Sequence, residues 1–83
     1  MTNLETAQNE INRLTSKSKS TAFYLSEKFP TLFILFTTKG GWSEDVNRIE
    51  VYENRNQALS KFKFYFEIKK QGGGVLLNSE FID

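Results

Sequence analysis

The sequence predicts an α+β domain, with an N-terminal helix and a second helix packed on a small, mainly antiparallel sheet in the order α-β-β-α-β. Three observations predict it. Leu4, Ala7, Ile11 and Leu14 recur at helical spacing. Thr31 to Thr38 is a β-branched and aromatic run that stops at Lys39-Gly40-Gly41. Asn54 to Gln71 joins a capping signal to a helical apolar face ahead of Gly72. Residues 1–83 read as a single small domain, because a chain of 83 residues supports one hydrophobic core.

The first stripe predicts a helix over about residues 3–16, with Thr2 or Asn3 as its cap. Glu5 lies in the first turn and Arg13 and Lys17 near the far end, the signs that the helix dipole favours. Thr15 to Thr21 is polar and poor in helix formers, so it reads as a connection. Apolar spacing resumes at Ala22, Leu25 and Phe29, which fits a longer or broken helix; an extra strand over 22–25 is the alternative. Pro30 stops any helix at or before Phe29.

The continuous apolar run Leu32-Phe33-Ile34-Leu35-Phe36 suits a central strand covered on both faces. Arg48 to Tyr52 alternates, Ile49 and Val51 on one side and Glu50 and Tyr52 on the other, as a half-exposed strand does. Asn54 followed by Gln57 resembles a capping box, and a helix from there would bury Ala58, Leu59, Phe62, Tyr65 and Phe66. The same stretch also alternates, with Phe62, Phe64, Phe66 and Ile68 interleaved among polar residues, so a strand competes with the helix. The cap and the Gly72 stop favour the helix. Val75 to Ile82 reads as one closing strand.

Composition narrows the chemistry. There is no Cys and no His, which removes thiolate nucleophiles, Cys and His metal sites, and the Ser-His and Cys-His constellations. Glu44-Asp45 reads as a solvated turn capped by Ser43, and Glu50 and Glu53 as surface charges. No catalytic residue, cofactor or small-molecule substrate is therefore assigned. Gly72-Gly73-Gly74 lacks the strand before it and the Lys-Ser/Thr after it that a phosphate loop needs, and reads as a helix stop and joint. A cysteine-free chain with no basic and apolar leader at Met1-Thr2-Asn3-Leu4-Glu5 points to a reducing, cytoplasmic setting. Its longest apolar run is too short to span a bilayer. Eight Lys against three Arg, with abundant Asn and Phe, is the bias of an A/T-rich coding sequence, as in low-GC bacteria and their phages.

Two surfaces stand out. A helix on one sheet needs one apolar stripe, and the 55–71 segment has two. Phe64 and Ile68, four apart, lie opposite Phe62, so they form a partner-docking or self-association face with Tyr65 at its rim. Trp42, after two glycines, is either an anchor for a partner or a lid on the core. Lys61, Lys63, Lys69 and Lys70, with Lys17 and Lys19 upstream, interleave with aromatics as in single-stranded nucleic-acid surfaces, although the net charge is only +1. The function expected is a small non-enzymatic protein-binding module of the inhibitor, antitoxin or adaptor kind, homo-oligomeric or docked on another protein and encoded by a phage or mobile element. An RNA- or single-stranded nucleic-acid-binding role is the alternative.

Overall fold

The structure, a computed structural model, describes residues 2–38 and 45–82. Its elements run α1 (Asn3–Asn12), α2 (Lys19–Lys28), β1 (Phe33–Thr38), β2 (Arg48–Tyr52), α3 (Arg55–Glu67), β3 (Gly72–Leu77) and β4 (Glu80–Ile82). The four strands form one antiparallel sheet in the order β2-β1-β3-β4. The α+β class expected from the sequence is the one the chain adopts.

The start signals of α1 and α3 act as read. The Thr2 hydroxyl accepts from the Glu5 N–H at 3.1 Å and starts α1. The Asn54 side chain accepts from the Asn56 and Gln57 N–H groups at 2.8 and 3.2 Å and starts α3. That cap, with Ala58 buried one turn later, settles the 55–67 stretch as helix against its own alternation. Helix α1 is shorter than 3–16, ending at Asn12; Leu14 still packs on the core from outside the helix. Residues 22–25 form no strand. They belong to α2, which Ser18 caps by accepting from the Thr21 N–H at 3.2 Å.

Strand β1 is central. Ile34 pairs with Val51 on one side and Leu76 on the other, and Leu35 pairs with Glu50 and Val75. Side chains alternate across this register, so the sheet has two differently covered faces. Ile34, Phe36, Ile49, Val51 and Leu76 meet Ala7, Ile11, Ala22, Leu25 and Phe29 of the α1/α2 layer. Leu35 and Val75 meet Ala58 and Tyr65 of α3. The fully buried alanines Ala7, Ala22 and Ala58, one per helix, let each helix approach the strands closely.

The C-terminal third departs furthest from the sequence reading. Helix α3 stops at Glu67 rather than at Gly72. Lys70 takes a left-handed φ of 56°, and the Gln71 N–H donates to the Tyr65 carbonyl at 3.0 Å. Gly72-Gly73-Gly74 is neither a cap nor a joint: it opens β3, against β1. A Cβ on Gly73, whose φ is +145°, would lie 2.0 Å from the Phe36 carbonyl oxygen. A Cβ on Gly74 would lie 2.6 Å from the Phe81 ring, which covers that position. The segment 75–82 is a hairpin, not one strand; Asn78 and Ser79, at φ 52° and 67°, make its two-residue turn. That turn is tied to α2, the Ser79 N–H donating to the buried Ser26 hydroxyl.

Candidate functional site

The α3 side of the sheet carries the features that point to function. Fewer of its apolar groups reach the sheet than the helical reading expected. Ala58 and Tyr65 are buried and Leu59 and Phe62 half-buried, but Phe66 is 58% exposed, beside Phe64 at 40% and Ile68 at 65%. At 3.6 residues per turn, Phe66 lies well round from Ala58, so a single helix resting on its Ala58–Tyr65 line lifts it off the strands. Oily surface therefore flanks α3 on both sides: Phe64, which shares a depression with Tyr52 of β2, with Ile68 one turn on, and Phe66, its ring 6.2 Å from Phe62, on the other. The exposed Lys63 and Glu67 occupy the ridge between.

Tyr65, expected both on the buried face of the helix and at the rim of the docking surface, is buried at 4% exposure. Its hydroxyl donates to Glu50 Oε2 at 2.7 Å. Arg48 donates to the same oxygen at 3.2 Å, and the Tyr52 hydroxyl donates to Glu50 Oε1. The Arg48 guanidinium also sits 5.1 Å from the centre of the Tyr65 ring. Glu50 is therefore half-buried rather than a surface charge, and sequence reasoning missed the cluster. The signal was present. A central strand that is apolar on both faces requires cover on both, so the Glu50–Tyr52 side of its neighbour had to be roofed as well.

Burial raises the Glu50 pKa, but Tyr52, Tyr65 and Arg48 donate to the charged form and outweigh it, holding the carboxyl below its ordinary value. Burial first, and the Glu50 carboxylate next, push the Tyr52 and Tyr65 hydroxyls up. Three donors converging on one carboxylate tie β2 to α3 as a clamp. Among the described residues no group of three or more His, Cys, Asp or Glu side chains could hold a metal ion.

The lysines do not share one ladder face. Helical periodicity sends Lys61 and Lys63 to different sides of α3. Lys61 Nζ lies 5.4 Å from the Phe64 ring centre and 5.7 Å from that of Tyr65, and Lys69 Nζ lies 5.8 Å from that of Phe64. Lys70 occupies the left-handed turn after the helix. Lys17 and Lys19 lie instead around the start of α2, where Ser18 bridges to Asp45 and the Lys17 carbonyl accepts from the Val46 N–H at 3.2 Å. Trp42 and Glu44 fall outside the described residues.

Among the described residues no helix is long and apolar enough to cross a membrane. No protein-family model matches the chain, and neither a curated protein nor a solved structure does.

Proposed function

We propose that this protein is a non-catalytic binding module that docks another protein through the outer surface of α3 and acts by occluding it, as inhibitors, antitoxins and adaptors do. One observation carries this reading: Phe64 and Ile68, four residues apart on and just after one helix, stand 40% and 65% exposed. Water-facing apolar groups gathered in one place are the usual mark of an interface, with the surrounding polar groups setting orientation. The clamp at Glu50 supports the reading by holding that helix to the sheet as a rigid platform. With no cysteine to staple or oxidise, the module suits the reducing interior of a cell.

A second reading, an RNA or single-stranded nucleic-acid surface, draws on the exposure of Lys61, Lys63, Lys69 and Lys70 on and beside the same helix. Affinity purification from the encoding host, with and without nuclease, separates the two. The expected result is a protein partner that survives nuclease and is lost when the bait carries Phe64→Asp, with the melting temperature of the variant unchanged. Partners that vanish with nuclease, or that ignore Phe64→Asp, would refute the docking role.

A further inference from the structure

The charge around Phe64 selects the occupant of this face. Lys61 and Lys69 both lie within 6 Å of its ring, 5.4 and 5.8 Å from the centre. Among the described residues no carboxylate pairs with either. Beside them a shallow depression lined by Tyr52, Gln57, Lys61 and Phe64 opens along α3. We propose that this face takes a protein segment bearing an apolar anchor flanked by Asp or Glu side chains; the inference rests on the docking role of α3 proposed above.

Two other occupants fit less well. A second copy of this chain would meet the face with the same face, as two-fold pairing requires, and bring Lys61 and Lys69 up to a surface of the same sign. A nucleic-acid strand needs open ring faces for its bases. The Phe64 ring already carries two ammonium groups near it and the Tyr65 ring edge-on at 5.5 Å. Ile68, the most exposed apolar group of the patch, offers a base nothing to stack on. Carboxylates placed over Lys61 and Lys69 compensate both charges while the anchor covers Phe64 and Ile68.

A random-peptide display library panned on the full chain, followed by affinity measurement on synthetic copies of the selected peptides, tests this. Selected peptides should combine a large apolar residue with two or more nearby Asp or Glu. The double variant Lys61→Glu/Lys69→Glu should weaken them about tenfold, the size of a few exposed charge pairs. It should keep its melting temperature, and Glu-to-Lys versions of the peptides should recover affinity for it. Neutral or basic peptides that depend on Phe64, or affinity indifferent to the double variant, would overturn the acidic partner and leave the docking role standing. Failure to select any peptide sensitive to Phe64→Asp would overturn both. A dimer in sedimentation dissolved by Phe64→Asp, or polyuridylate binding abolished by the double variant, would assign the face to a second copy or to RNA instead.

Discussion

Replacing Gly73 by Ala should strongly destabilise the protein, and the size of the effect follows from the approach of β3 to β1. The new Cβ would sit 2.0 Å from the Phe36 carbonyl oxygen and 2.8 Å from the Thr37 Cα, both backbone atoms of the central strand. Side chains do not approach closer than about 3 Å, so β3 would have to retreat from β1 by about 1 Å or twist its register there. Two ladder hydrogen bonds stretched by that much forfeit about 1–3 kcal/mol. Holding an alanine at a φ of +145° adds about 1–3 kcal/mol. A total of about 2–6 kcal/mol is a large fraction of the 5–15 kcal/mol typical of a domain, and lowers the melting temperature by at least about 8 °C. Circular dichroism melts and urea titrations measure it. Gly72→Ala is the control, because its Cβ would meet only the Thr38 Oγ1 at 3.1 Å. A Gly73→Ala melt within about 1 kcal/mol of the parent's would refute the close approach of β3 to β1.

Three further outcomes are expected. Glu50→Gln should cost about 1–3 kcal/mol near neutral pH through its weakened bonds to Tyr52, Tyr65 and Arg48. Because the folded-state pKa of Glu50 is depressed, its stabilisation is complete above the ordinary carboxyl value of 4.5 and is lost as pH falls through the folded value. Acid melts of the Gln variant should lack that part of the loss, and an unchanged acid profile would sink the clamp. Lys70→Gly should raise stability by about 0.5–1 kcal/mol in chemical denaturation by removing a left-handed lysine from the end of α3. Ser26→Ala should cost about 1–3 kcal/mol, since it strips the Ser79 N–H of its acceptor at the β3–β4 turn; a shift under 0.5 kcal/mol in the same titration counts against that tie.

Local signals were legible in the sequence, and signals that depend on a distant strand were not. Thr2, Asn54 and Pro30 act on their own neighbours, so α1, α3 and the end of α2 could be placed from them. The boundary between α1 and α2 was blurred because Leu14 keeps the apolar rhythm although it lies outside any helix. The glycine run misled for a different reason. After a helix a glycine looks like a stop, yet Gly73 is required by the Phe36 carbonyl, some forty residues away in sequence. The Asn78-Ser79 turn was hidden inside an apolar run because serine stands where glycine is the common choice. For the surface, the second apolar flank of α3 was foreseen at Phe64 and Ile68. Tyr65 was read both on the buried face of the helix and at the rim of the docking surface, because an amphipathic ring fits either until its hydroxyl partner, Glu50, is located.

The position of β1 between β2 and β3 has a consequence for how the polypeptide is made. Its Ile34 pairs with Val51 and with Leu76, which is made 25 residues later than Val51. A nascent chain that has emerged as far as Tyr52 can zip β1 to β2 and lay α1 and α2 over one side. The reverse side, with Leu35 at its middle, then waits for Ala58, Tyr65 and Val75. Such long-separation pairing slows folding, and until the α3–β3 unit arrives the bare underside of the growing sheet is a ready target for chaperones or for a neighbouring ribosome's product.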